Sequence, residues 1–226
     1  MKRSELNQWI DEALAYFDSF NFLVPKWARW SPEEWQRNGG VPDEISDCQL
    51  GWDITTFGSG DFNKMGLILL TLRNGLLVPT NSKHEYPKPY AEKIMMVRDH
   101  QVTPRHFHPQ KQEDIINRGG GNLIIELWPT DPVKKTLVDG SFTVSVDGFP
   151  RVMNPGDKLV LTPGESVCLC PRHAHLFYGE GTVMVGEVSR VNDDFTDNCF
   201  VDGMPRFDPI VEDEPPRYLL GIDYKK

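Results

Sequence analysis

A mainly β chain, closed as a barrel or sandwich and carrying a helical N-terminal extension, is what this sequence predicts, and three observations predict it. From residue 50 onward, short apolar segments recur at short intervals. Asn-Gly, Asp-Gly and Pro-Gly pairs (74–75, 147–148, 155–156 and 163–164) punctuate them. Before residue 48 the apolar residues recur at helical spacing instead. Many short strands with regular turn signals indicate a closed or two-layered sheet.

The elements follow in order. Residues 4–18 read as an amphipathic helix: Ser4 caps it, and Leu6, Trp9, Ile10, Ala13 and Phe17 form one stripe. A second helix begins at Ser31, with Pro32 in its first position and Glu33 and Glu34 in its first turn. Between them NFLVPKWARW, broken by Pro25, is expected to pack over a core. Strands are expected in 66–75, 92–102, 122–128, 141–148, 157–164, 166–171 and 181–189. Gly119 to Gly121 read as a tight turn between strands. They do not read as a phosphate cradle, because no Lys-Ser/Thr and helix follow. From 192 the chain is acidic and Pro-rich, yet it keeps Phe195, Phe200, Phe207, Ile210, Tyr218 and Leu219, so it is expected to wrap the domain. The division is one domain over 1–226, with a helical extension (1–48), a β core (50–190) and a wrapping segment (191–226).

Composition excludes several classes. The 226 residues are 39% hydrophobic and 25% charged, enough for a packed core. A net charge of −9 argues against nucleic-acid and membrane-surface partners. No stretch approaches the roughly 18 apolar residues of a membrane span. Asp11 and Glu12 interrupt any leader-like run at the N-terminus, so a cytoplasmic location is expected. Cys48, Cys168, Cys170 and Cys199 are expected as reduced thiols, since a bridge between residues 168 and 170 of one strand is geometrically poor.

Chemistry concentrates in RHFHPQKQEDIINRGGG, residues 105–121. His106 and His108 share a face if the chain is extended there, and Glu113 can return to that face after a bend. PRHAH (171–175) supplies His173 and His175. A metal needs three or four such groups converging. Each taken singly is an ordinary polar residue; their joint spacing is the signal. His84 and His100 have no partner at useful spacing and read as ordinary polar residues.

That spacing resembles the first motif of the cupin superfamily, His-x-His, four residues, Glu, six residues, Gly, here His106, His108, Glu113 and Gly120. The second motif is matched by Pro163-Gly164, Pro171 and His175. His100 and His173 stand where that family's motifs usually have Gly. The resemblance implies a cupin-type β-barrel (a double-stranded β-helix, or jelly roll) in which His106, His108, Glu113 and His175 bind a divalent metal, His175 being taken over His173 by motif position. The chain further resembles the D-lyxose isomerases, cupin-fold sugar isomerases. MKRS at the start, LGWDITTFG (50–58), LTLRNG (70–75), YAEKIMMV (90–97), HFHPQKQEDIINRGGGNL (106–123), GEVSRVNDD (186–194) and EDEP (212–215) carry that likeness. It implies a sugar substrate, D-lyxose/D-xylulose interconversion with D-mannose/D-fructose as a second pair, and a homodimer.

Such a reaction moves a proton between adjacent carbons. A divalent ion on the two sugar oxygens stabilises the enediol, and a carboxylate carries the proton. Three imidazoles and a carboxylate suit Mn²⁺, with Co²⁺, Fe²⁺ and Zn²⁺ as alternatives. Lys111, between ligands, is a candidate to stabilise developing charge and bind substrate, a solvated lysine being the ordinary alternative. Lys93 is a second substrate-binding candidate. Glu187 shares a strand face with Val183 and Val185, which predicts a raised pKa suited to a base. Glu212, in a substrate-binding role, and Glu214 are alternatives if the tail folds over the barrel mouth. The base stays open among Glu113, Glu187, Glu212 and Glu214. Rival readings are an Fe²⁺ dioxygenase on the same ligands and a non-catalytic sugar-binding cupin.

Overall fold

The computed structural model describes residues 1–76, 86–131, 133–134 and 136–224; His84 lies outside them. Helix α1 (Arg3–Ser19) buries Leu6, Ile10, Ala13, Leu14 and Phe17 along one stripe. Ser4 is not its cap. Lys2 holds that position, and Ser4 Oγ inside the first turn donates to Asp213 Oδ2 at 2.7 Å. Helix α2 (Pro32–Arg37) opens on a reciprocal cap: Glu34 N donates to Ser31 Oγ at 3.3 Å, and Ser31 N to Glu34 Oε2 at 2.8 Å. A short helix α3 (Asp43–Asp47) leads into the strands.

Eleven strands follow among the described residues: β1 (Gly51–Thr55), β2 (Leu67–Arg73), β3 (Tyr90–Val97), β4 (Thr103–Phe107), β5 (Glu113–Pro129), β6 (Phe142–Val146), β7 (Phe149–Met153), β8 (Asp157–Leu161), β9 (Ser166–Leu169), β10 (His173–Arg190) and β11 (Cys199–Phe200). Their named pairings are all antiparallel, in the order β1-β2-β3-β10-β5-β9-β6-β7, with β4 on β10 and β11, and β8 on β5. The long strands β5 and β10 form the spine. The C-terminal part of β10 pairs with β3 and its start with β4. Likewise the start of β5 pairs with β9 and its end with β8. Each long strand therefore serves both layers of the roll, and the architecture is the mainly β, cupin-type barrel.

The sheet faces explain the apolar runs. In β2, Leu67 and Leu69 point into the barrel while Ile68 and Leu70 face α1. In β3, Met95 and Val97 point inward while Ile94 and Met96 face outward. Strands buried on both faces lose polar alternation and read as continuous hydrophobic segments. Trp52 and Phe17 stack within the outer layer, with ring centroids 6.4 Å apart.

The strand expected over 92–102 ends early: β3 stops at Val97, and the chain turns through His100, at φ 55°, before β4 begins at Thr103. That left-handed backbone is the physical reason a Gly suits this position. Strand β7 was not expected. Asp147 (φ 49°) and Gly148 (φ 85°) make a two-residue turn with both central φ values positive, which links β6 to β7. The glycine run is not a turn between strands. Gly119 to Gly121 lie inside continuous β5, where the register against β10 slips. Gly120 has φ 97°, and a Cβ on Gly121 would sit 2.0 Å from the Glu180 carbonyl oxygen. Asn117 braces the bend, accepting from Gly119 N at 3.0 Å and donating to Gly121 O at 2.9 Å.

The tail wraps the fold. Arg3 N donates to Val211 O and Val211 N to Met1 O, both at 2.9 Å, and Leu220 is buried in the outer core beside Trp52. The four cysteines are free thiols. Among the described residues no helix is long and apolar enough to cross a membrane.

Candidate metal centre and active site

The bend decides which residues meet. In the β5–β10 ladder Glu113 faces Ser189 at one end and His175 faces Leu127 at the other. Yet Glu113 Oε1 lies 3.5 Å from His175 Nε2. The ladder has folded over, so its two ends confront each other across the barrel. His106 joins through β4, directly opposite His175 in the β4–β10 pair. His108 follows β4, and its Nε2 lies 3.6 Å from Glu113 Oε1. The His106 and His175 rings are 4.3 Å apart, and those of His106 and His108 5.3 Å. All four side chains are buried.

Backbone carbonyls set the imidazole tautomers. Nδ1–H of His106 donates to Pro104 O at 2.8 Å, that of His108 to Asp197 O at 2.5 Å, and that of His175 to His173 O at 3.2 Å. A carbonyl only accepts, so each ring carries its proton on Nδ1 and presents the Nε2 lone pair to the pocket. Burial, reinforced by the neighbouring imidazoles, pushes His106 well below its usual pKa. Burial and the Lys111 charge push His108 down to about 4. Neutral imidazoles with free Nε2 atoms beside an ionised carboxylate are the donor set a divalent ion takes. The cradle is open, however, and no closed coordination shell stands among the described residues. The spacings of 3.5 and 3.6 Å exceed the ~3 Å edge between ligands with bonds of about 2.1 Å.

Lys111 sits beside these groups. Its Nζ lies 2.8 Å from Glu113 Oε2 and 2.8 Å from Glu187 Oε1, and donates to Asn192 Oδ1 at 3.1 Å. Burial alone would lower its pKa, but the two carboxylates outweigh it and raise it. Glu113 responds in kind: burial raises it, and Lys111 with the imidazoles brings it well below its ordinary value. Lys93 Nζ donates to the same Asn192 Oδ1 at 2.8 Å and lies 3.5 Å from Glu187 Oε1.

Glu187 departs from the expected raised pKa. Burial does push it up, yet Lys111 and Lys93 overcome that and the net direction is down. Its strand neighbours are apolar, but its ladder partner is Lys93 of β3. Periodicity along one strand does not reveal a cation on the next.

The structure does not bring Glu212 or Glu214 to this cluster. Glu212 takes the buried Arg3 guanidinium through two hydrogen bonds of 2.7 Å, and Glu214 Oε1 accepts from Asn7 Nδ2 at 2.6 Å. Both carboxylates anchor the tail to α1 on the outer side of the barrel, which corrects the expectation that they cover its mouth. His173 also lies outside, its ring against Phe142.

Several contributors were missed in the sequence. Asn192 gathers both lysines and is held by Asn74, whose Nδ2 donates to Asn192 O at 2.9 Å and whose Oδ1 accepts from Asn192 N at 3.0 Å. Asp197 accepts from Gln110 N and Lys111 N at 2.8 Å each, fixing the loop between ligands. Arg206 binds Asp53 and lies 3.3 Å from Asp194. The available signals were Asn74 of LTLRNG, read as a turn former, and Asn192 of GEVSRVNDD, to which no role was given. A separate groove of about 280 Å³, lined by Trp52, Asp53, Phe195 and Phe207, lies behind Asp194 and contains none of the imidazoles.

Comparison with known proteins agrees on the family. A family model described as D-lyxose isomerase matches residues 1–224. A D-lyxose/D-mannose isomerase of Serratia proteamaculans is 47% identical over 228 residues, 99% of this chain and 98% of that protein. One of Escherichia coli O157:H7 is 46% identical over 230 residues, 100% and 99% of the respective chains. In fold, the chain is similar to an L-ribose isomerase of Acinetobacter sp. DL28 solved in complex with L-ribose. That likeness has a TM-score of 0.60 at 15% identity and covers 93% of this chain and 98% of that one.

Proposed function

The chain belongs to the D-lyxose isomerase family, and from that premise we propose that this sugar isomerase interconverts D-lyxose with D-xylulose and D-mannose with D-fructose through a cis-enediol. We assign His106, His108, Glu113 and His175 to a divalent metal, Mn²⁺ first, with Co²⁺, Fe²⁺ or Zn²⁺ as substitutes. The observation that carries the reading is the buried Lys111 held 2.8 Å from each of two carboxylates, beside three imidazoles with free Nε2 atoms.

A divalent ion held by these four residues would supply Lewis-acid polarisation of the sugar, which makes the C2 proton α to the carbonyl removable. Glu113 turns Oε1 toward the imidazoles and gives Oε2 to Lys111. Glu187 receives Lys111, Lys93 and Ser189 all on Oε1, which leaves Oε2 for the moving proton. We therefore assign Glu187 as the base. It takes the C2 proton of the aldose and returns it to C1, while the O2 proton passes to O1, so atoms and charge balance. Lys111 keeps Glu187 ionised at neutral pH and stabilises negative charge on the sugar oxygens. Lys93 holds the opposite side of Glu187.

The test is a coupled ketose assay over a panel of aldoses, using protein stripped with EDTA and re-supplied with each metal in turn. Turnover in D₂O should place solvent deuterium on the transferred position. No turnover with any aldose and metal removes the isomerase reading, and metal-dependent O₂ uptake replaces it with an oxygenase. A hydride shift, with no deuterium incorporated, removes Glu187 from its role. The same reading carries a cytoplasmic homodimer; light scattering at the 25.8 kDa mass of one chain would remove the dimer.

A further inference from the structure

Five buried side-chain polar atoms have no hydrogen-bond partner among the described residues, and three of them belong to residues lining this one pocket: Thr103 Oγ1, Asn198 Oδ1 and Arg206 Nη1. A buried polar atom left unpaired bears its full desolvation cost, so native proteins keep few of them. Three at one pocket call for a ligand that pairs with all three. Their chemistries differ: a hydroxyl that donates and accepts, an amide oxygen that accepts, and a guanidinium nitrogen that donates.

Each is held in place by the same framework that positions the metal ligands. Thr103 begins β4, three residues before His106. Asn198 follows Asp197, whose carbonyl orients His108. The other terminal nitrogen of Arg206, Nη2, binds Asp53 and Asp194, which fixes the guanidinium and leaves Nη1 unpaired. Those two carboxylates also offset the Arg206 charge, so the site offers no spare cation to a phosphate group.

We infer that Thr103, Asn198 and Arg206 bind the hydroxyls of an unphosphorylated open-chain sugar beyond C2, and so choose among aldoses. The inference rests on the isomerase reading and extends it to residues that select the substrate. A sugar hydroxyl donates and accepts, so one polyol chain can satisfy all three atoms. The pocket encloses about 30 Å³, less than a sugar fills, so its lining has to widen as the sugar enters.

Thr103→Val and Asn198→Leu in the metal-loaded protein test this, with Arg206→Lys as a third variant that keeps the charge facing Asp53 and Asp194. Replacing an unpaired polar atom by an apolar group of similar shape does not destabilise a fold. Calorimetry should find the melting temperatures of the first two unchanged or raised, while KM for D-lyxose rises about tenfold, as for the loss of one hydrogen bond. Against aldoses deoxygenated at C3, C4 or C5, each variant should match the parent protein on one analogue alone, the signature of a shared contact. KM within twofold of the parent for Thr103→Val and Asn198→Leu overturns the inference. So does an equal loss on every analogue, or a fall in melting temperature with KM unchanged. If the parent turns over no aldose, the isomerase reading has failed separately, and thermal shift with xylitol decides this one. Stabilisation of the parent but not of Thr103→Val or Asn198→Leu supports the polyol site, and no difference overturns it.

Discussion

The ammonium of Lys111 lies 2.8 Å from Oε1 of Glu187, 76 residues further along the chain, with both side chains buried. A lysine in such surroundings is stable as a cation only because it answers to two carboxylates. Lys111→Met leaves Glu113 and Glu187 buried without their shared counter-charge. Removing one partner of a buried ion pair costs ~3–5 kcal/mol. At about 2–4 °C per kcal/mol for a chain of this size, the melting temperature should fall by roughly 10 °C. Activity should fall by about 10²–10³, as for loss of a preorganised charge-stabilising donor. Calorimetry and the ketose assay check both, and an unchanged kcat would reduce Lys111 to a structural role.

The position of Glu187 separates it from the tail carboxylates. Glu187→Gln keeps shape and removes the base, so kcat should fall by about 10²–10⁴. Glu212→Gln and Glu214→Gln change groups that hold Arg3 and Asn7 and should leave kcat within about twofold of the parent. If Glu214→Gln is the slow variant instead, the base has been misassigned.

How far the site was legible follows from the same contacts. His106 and His108 were readable because local alternation along an extended segment places them together. His175 was taken over His173 by motif position, and the structure sets its ring 4.3 Å from that of His106. Glu113 and Lys111 came with that local segment. Asn192 was not readable, since its hydrogen bond to Lys93 spans 99 residues and exists only once the sheet has closed. Glu212 was misplaced for a related reason: its partner Arg3 lies 209 residues away, and the tail reaches it along the outside of the barrel. The strands showed as apolar runs, whereas in β7, Phe149–Met153, Pro150 and Arg151 interrupt the apolar residues and the first four positions are exposed.

Metal removal should register in stability as well as activity. A ligand that binds only the folded state stabilises it by about 2.7 kcal/mol at a concentration one hundred times its Kd. Adding Mn²⁺ to the stripped protein should therefore raise its melting temperature. His175→Ala should abolish that rise, because it removes one of the Nε2 donors. A rise of equal size in both proteins would place the bound ion elsewhere.

Asp194 gives stability a defined pH dependence. Burial pushes its carboxyl up, but Lys93 and Arg206 overcome that and hold it far below the ordinary carboxylate range. Asp53 shares Arg206 with it and moves the other way, raised by burial and by the negative charge of Asp194. A depressed folded-state pKa contributes stability that is present above the unfolded value near 3.9 and lost as pH falls toward the folded value. Asp194→Asn should therefore cost ~3 kcal/mol at pH 7. Its deficit against the parent should shrink by about 1.4 kcal/mol for each pH unit below about 3.9. Urea melts at several pH values measure this, and a deficit that stays constant down to pH 2.5 would contradict it.

The bend in β5 joins fold to chemistry, and Gly121 tests it. Glu113 and His175 occupy opposite ends of one ladder and meet because β5 and β10 fold over between them. At Gly121 an added Cβ would stand 2.0 Å from Glu180 O and 2.9 Å from Gly181 Cα, both backbone atoms that cannot rotate away. The strands have to separate where they bend. Gly121→Ala should cost ~3 kcal/mol, the upper range for overpacking. It should also lower kcat, because the displaced ladder carries Glu113 and His175 at its two ends. Gly148→Ala is the control. Gly148 has φ 85° but nothing within 4 Å of an added Cβ, so it should lose only the roughly 1 kcal/mol of a left-handed residue. Its β6–β7 turn carries none of the metal donors, so kcat should hold. Equal losses of stability and activity in the two variants would contradict the close approach of β5 to β10 as the reason for Gly121.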